Sequence, residues 1–177
     1  MAEQEQQKSE HPVKDTLAHA YDTMLERVKH AVETAEERAA PSLEQAIQHA
    51  RKRAVDLGEI TREEAHEVAD YIRRDLHDMG DYLTESSRDY QAWFRMDLQL
   101  IEARLLDLLG SIADRTRVEL AELEAQARVV GVWHTGEVAG PGVLRCDKCG
   151  KELHFTESGR IPPCPQCRAT EFHRMRG

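Results

Sequence analysis

The chain has 177 residues, 40% hydrophobic, 32% charged and only 5% aromatic, with a formal net charge of −9. That composition excludes a thick aromatic core, and the acid excess before Gly131 repels phosphate backbones, which disfavours broad electrostatic binding to nucleic acid. No stretch approaches the roughly 20 apolar residues that cross a membrane, the first residues are too polar for a secretory signal, and four cysteines in two pairs near the C-terminus point to a cytoplasmic protein.

Residues 1–11 are mostly Glu, Gln, Lys and Ser and read as a disordered tail. Residues 12–130 read as a helical domain. Its first helix is expected over about 13–38, where Leu17, Tyr21, Met24, Val28, Ala31 and Ala35 alternate by fours and threes. A second is expected over 41–57, with Pro41 in its first turn. Leu43, Ile47, Ala50, Ala54 and Leu57 form its stripe, and Gly58 closes it. Thr61 and Glu64 form a capping box for a third helix over 61–85, carrying Val68, Ile72, Leu76, Met79 and Leu83. A fourth is expected over 88–128, its apolar register sliding near Gly110.

At Gly131 the helical periodicity stops and Gly, Pro, Val and Thr appear. Residues 131–177 read as a separate small β module, joined loosely across 130–142. A strand is expected within 132–138, a turn at Gly140-Pro141-Gly142, and strands around Leu144, Leu153, Phe155, Ile161 and Phe172. Glu157-Ser158-Gly159 is the expected hairpin tip. The fold class is thus mostly α with a small C-terminal β module: an elongated antiparallel helical bundle or coiled-coil hairpin followed by a zinc ribbon.

The ribbon reading rests on Cys146, Cys149, Cys164 and Cys167. Two Cys-x-x-Cys turns separated by fourteen residues give the ligand spacing of one tetrahedral metal site. Each short turn aims two sulfurs at one ion and backbone N–H groups at the thiolates. One structural Zn²⁺ per chain is expected, because four thiolates leave no position for water or substrate. Iron also fits four thiolates, and free thiols or a redox pair are the metal-free alternatives. His134, His154 and His173 read as bystanders.

Elsewhere the signals are bland. Glu63 and His66 form one Glu-x-x-His, a quarter of a di-iron carboxylate site, with no second copy in the sequence. Asp15–His19 and Glu26–His30 read as solvated one-turn pairs, and Arg51-Lys52-Arg53 as a solvated basic face. No nucleophile triad, Walker loop or dinucleotide fingerprint is present, so no enzyme is expected.

Gly58-Glu59-Ile60-Thr61-Arg62-Glu63-Glu64, Tyr71-Ile72-Arg73-Arg74-Asp75-Leu76 and Gly131-Val132-Trp133-His134-Thr135-Gly136-Glu137-Val138, followed by the cysteine turns, resemble the YbeL-like zinc-ribbon-containing proteins of bacteria. The resemblance runs over roughly 13–175. It implies a helical N-terminal region, a C-terminal ribbon, and Cys146, Cys149, Cys164 and Cys167 as zinc ligands, but no activity. The leading functional expectation is a non-enzymatic interaction or scaffold protein with a protein partner, able to pair with itself through its helical stripes. One alternative is a nucleic-acid-associated regulator using Lys148, Lys151, Arg160, Arg168, Arg174 and Arg176. The other is a zinc-thiolate redox sensor.

Overall fold

The computed structural model describes residues 15–33, 41–85 and 131–174, with side chains in the third helix as far as Asp78. The expected tail at 1–11, the fourth helix at 88–128, Ala35, and the side chains of Met79 and Leu83 lie outside that description, and so does the elongated bundle that depended on them. Among the described residues there are three helices: α1 Thr16–Glu33, α2 Leu43–Asp56 and α3 Arg62–Glu85. No helix among the described residues is long and apolar enough to cross a membrane.

Local chemistry sets the helix starts. The Asp15 carboxylate accepts the Leu17 N–H at 2.9 Å and caps α1. At α2 the cap is Ser42, so Pro41 lies before the helix and not in its first turn as expected. Its hydroxyl accepts the Gln45 N–H at 3.2 Å, and the Gln45 side chain accepts the Ser42 N–H at 3.1 Å. That reciprocal pair leaves Pro41 one residue outside the helix. The expected box at α3 is present, with Thr61 and Glu64 bonding each other's backbone N–H groups at 2.8 and 3.2 Å.

The stripes converge on one core. Leu17, Tyr21, Met24 and Val28 of α1 meet Leu43, Ile47, Ala50 and Ala54 of α2 and Val68, Ile72 and Leu76 of α3. Leu57 departs from its expected place. It is the C-cap of α2, still in the right-handed helical region before Gly58 turns the chain, and its side chain is 51% exposed. Between α2 and α3 lies an ion pair that periodicity did not reveal. Arg73 donates to both Glu44 oxygens at 2.7 and 2.8 Å and to Asp70 at 2.6 Å. Burial pushes the Glu44 carboxyl up, but hydrogen bonds from Arg73 and Gln48 outweigh it and hold it below the usual range.

The C-terminal module has two small antiparallel sheets. Four strands run in the order β1 (Trp133–His134), β6 (Glu171–Arg174), β3 (Gly142–Cys146), β4 (Glu152–Phe155). A second pair joins β2 (Val138–Ala139) to β5 (Gly159–Arg160). Ile161 follows β5 instead of lying in a strand, yet it is buried. The expected tip at 157–159 is not a free hairpin end. Ser158 is buried and donates to Asp22 of α1, and Arg160 forks onto the Asp15 carboxylate at 3.0 Å.

The expectation of loosely joined modules gives way at α3. Asp75 is three residues after Ile72, on the core face, and buried. One of its oxygens accepts the Tyr21 hydroxyl at 3.0 Å and the Gly140 N–H at 2.7 Å. The other accepts the Trp133 indole N–H at 2.9 Å and lies 3.4 Å from Arg174 and 3.6 Å from Arg74. Arg74 donates to Glu137 and to the Val138 carbonyl. Arg174 donates to the Pro141 carbonyl at 2.9 Å. Both guanidinium carbons lie near the Trp133 ring, 4.7 and 5.2 Å from its centre. Val138 then inserts into the helical core. A carboxylate in the interior needs this many partners, and they come from both parts of the chain.

Two predictions follow from these buried charges. Replacing Arg73 with Met strands the Glu44 carboxylate; the expected cost is about 3–5 kcal/mol, read as a lowered urea midpoint. Burial pushes the Asp75 carboxyl up, but the charges of Arg174 and Arg74 and the Gly140 and Trp133 donors win, so its pKa is lowered. A lowered carboxyl pKa stabilises above the unfolded value of about 3.9 and loses that effect as pH falls through the folded value. The stability gap between the native chain and Asp75→Asn is therefore expected to be full above about pH 4 and to shrink below it. A gap that stays constant into acid would contradict the assignment.

Candidate metal centre

The four cysteines stand on two turns of the same construction. In the first, the Gly150 N–H bonds the Cys146 carbonyl and the Cys146 N–H bonds the Lys151 carbonyl, both at 2.9 Å. In the second, the Arg168 N–H bonds the Cys164 carbonyl and the Cys164 N–H bonds the Ala169 carbonyl, again at 2.9 Å. Each turn needs a residue with positive φ after its second cysteine. Gly150 takes φ 74°, where glycine carries no steric penalty, whereas Arg168 takes φ 61° despite its side chain.

The sheet brings the turns together. Cys146 ends β3 opposite Phe172 of β6, and the Asp147 N–H bonds the Glu171 carbonyl. Cys146 and Cys164 are buried with Trp133, Leu144, Ile161 and Phe172 in one cluster, and Cys149 and Cys167 pack at its edge. All four Sγ atoms lie within 4.8 Å of one another, and the pairs Cys146–Cys167 and Cys149–Cys164 are each 3.5 Å apart. None is in a disulfide.

That arrangement fits a tetrahedral ion. A zinc–sulfur distance of about 2.3 Å implies sulfur–sulfur edges of about 3.8 Å. Electrostatics leads to the same place. The Cys164 thiol is lowered to about 6: burial opposes the shift, but the Cys167 and Gln166 backbone N–H groups and the neighbouring thiols outweigh it. The Cys149 thiol is raised to about 12: the Lys151 N–H favours its thiolate, but burial and hydrogen bonding with Cys167, Cys164 and Cys146 prevail. The two thiols are thus shifted in opposite directions, and four thiolates this close together would need a shared cation.

The three nearby histidines have carboxylate neighbours. His134 lies 3.4 Å from Glu137, His154 lies 3.6 Å from Glu152, and His173 contacts Asp147. His66 approaches Arg51 at 3.0 Å, where the sequence had grouped it with Glu63. Asp15, read as a partner for His19, is engaged instead by Arg160 across the chain. What sequence reasoning missed is the set Tyr21, Arg74, Asp75, Trp133, Glu137 and Arg174. Asp75 had left a signal: an acid at a core-facing position of an otherwise apolar stripe.

A family model described as a zinc-ribbon containing domain matches residues 30–176. The curated relatives include proteins titled "Uncharacterized protein YbeL" from Escherichia coli strain K12, strain O6:H1 and O157:H7. Each is 34% identical over 77 residues, which is 44% of this chain and 48% of the relative. The match therefore spans about half the length of those relatives. No solved structure matches.

The equivalence of the two turns is testable. Gly150→Ala puts a Cβ into the left-handed region at a cost of about 1–2 kcal/mol. Where metal binding and ribbon folding are one equilibrium, that makes the chain roughly tenfold easier to strip with a competing chelator. Arg168→Gly is expected to act in the opposite direction, and equal chelator midpoints for both variants would show that the backbone is not under the inferred strain.

Proposed function

The chain belongs to the zinc-ribbon containing domain family, and from that premise we propose that it is a non-enzymatic interaction protein whose ribbon holds one structural zinc ion. Cys146, Cys149, Cys164 and Cys167 are its ligands. The observation that carries this reading is the closed sulfur tetrad, with all four donors within 4.8 Å and buried or half-buried. Zinc bound there supplies cross-linking and charge neutralisation, and four sulfurs fill its coordination sphere. The chain's own residues form and orient the tetrad through paired backbone hydrogen bonds. The partner in this reading is another protein, met in the cytoplasm by a charged helical surface to which the ribbon is fastened.

The nucleic-acid alternative loses support. Two of its six basic residues are committed internally, Arg160 to Asp15 and Arg174 to Asp75 and Asp78. A phosphate interface of several contacts would give a steep fall in affinity with salt. A shallow slope, or no binding, is expected for RNA and DNA.

Elemental analysis of the purified full chain tests the metal assignment. One zinc per chain in a colourless protein is expected, and iron or a metal-free protein with intact ribbon structure would reject it. Cross-linking in the native host tests the interaction role. Recovery of one stoichiometric protein partner is expected, whereas turnover of a metabolite by the purified chain would replace this reading with an enzymatic one.

A further inference from the structure

The ribbon and the helices meet across a surface of unusual chemistry for an interior. The helical side offers the carboxylates Asp15, Asp22, Asp75 and Asp78. The ribbon side answers with donors: the Arg160 and Arg174 guanidinium groups, the Ser158 hydroxyl, the Trp133 indole N–H and the Gly140 N–H. Val138 is the ribbon's entry into the buried helical core. Such an interface is specific but weak in net free energy, because water replaces most of its bonds when it opens.

The same strand serves both the tetrad and this interface. Phe172 of β6 pairs with Cys146 and with Trp133, and is buried among the cysteines. Two residues on, along the same face, Arg174 reaches Asp75 and Asp78. Gly142 is part of the same fit: a Cβ there would fall 2.0 Å from Arg174 Nη1. The buried cluster around the sulfurs has few large apolar members, namely Trp133, Leu144, Ile161 and Phe172, with Leu153 and Phe155 at its edge. Without a cation between the thiolates, a cluster of that size is too small to hold β3 and β6 together. The helices share Val138 and the partners of Asp75 with the ribbon, but most of their hold is internal. They keep their own apolar core, the Arg73–Glu44 pair, and the forked Arg27–Glu59 bond at 2.6 and 2.8 Å.

We infer that the ribbon is a metal-dependent clasp: occupancy of the cysteine tetrad decides whether β6 holds Arg174 against α3, and hence whether the acidic face of α1 and α3 is covered or open. The inference rests on the zinc assignment above. With the tetrad emptied, the β3–β6 pairing fails, Arg174 and Trp133 leave Asp75, and Val138 leaves the core. The three helices stay folded.

The test uses the full chain carrying Trp93→Phe, so that Trp133 is the one remaining tryptophan of the two in the sequence. A zinc chelator is titrated in, while zinc release, Trp133 emission and helical circular dichroism are followed together. Emission is expected to move to the wavelength of exposed indole in step with zinc release, with the helical signal largely kept, and added zinc is expected to restore it. Arg174→Gln in the same background separates clasp from metal. It is expected to retain its zinc yet show exposed Trp133 before any chelator is added. Zinc leaving while Trp133 stays buried overturns the clasp, and so does simultaneous melting of the helices. A chain that carries no zinc at the outset fails the metal assignment itself, and that result is visible before any fluorescence is read.

Discussion

Asp75 is the buried charge at which α1, α3 and the ribbon meet. Removing Asp75 from water costs several kcal/mol unless its charge is matched and its lone pairs are filled. The matching groups are supplied by α1 through Tyr21, by β1 through Trp133, by the β2–β3 connection through Gly140, and by β6 through Arg174. No local segment can satisfy it alone. The acid therefore acts as a condition on the tertiary structure: α1, α3 and the ribbon must arrive together, in register, for it to be buried at all. Tyr21 obeys the same condition. Burial and the adjacent Asp75 charge raise its pKa well above the ordinary value, so it remains a donor to that carboxylate.

The two halves of the molecule draw stability from different physics. The helices rely on removing apolar surface from water, at roughly 25 cal/mol per Å², with capping and the Arg73 pair fixing register. The ribbon relies on the short strands that bring four sulfurs within 4.8 Å of one another, an arrangement that fits a metal ion. Between them lies a polar seam. Apolar seams tend to fuse modules permanently, while charged ones choose a single orientation and leave the net energy small.

Much of this was legible in the sequence, for identifiable reasons. The cysteine turns are read from spacing because backbone geometry around a tetrahedral metal admits few spacings. Thr61 and Glu64 are read because their hydrogen bonds are local. Leu17, Tyr21, Met24 and Val28 are read because burial follows helical period. What was not legible is nonlocal. Periodicity ranks Arg73 and Arg74 as polar and sends them outward, and it leaves Asp75 on the core face with no partner in view, yet all three are buried because each finds a partner far along the chain. Ser158 looked like a hairpin tip for the same reason: nothing near it in sequence announces Asp22. Leu57 failed in the other direction, an apolar residue at the end of a stripe that is exposed although its backbone is still helical.

The family match gives that seam a further meaning. It begins at residue 30 and runs to 176, so it contains α3 and the whole described ribbon but leaves out most of α1. The seam divides along the same line. Arg74 with Glu137, and Asp75 with Trp133 and Arg174, lie wholly within the matched region. Tyr21, Asp22 and Asp15 lie outside it. The α3 half carries the buried charges and the Trp133 ring, and so bears the heavier desolvation demand. The α1 half adds one hydroxyl at Asp75 and two contacts nearer the surface. Within the matched region α3 and the ribbon thus supply the charges around Asp75, and α1 adds the Tyr21 hydroxyl to them.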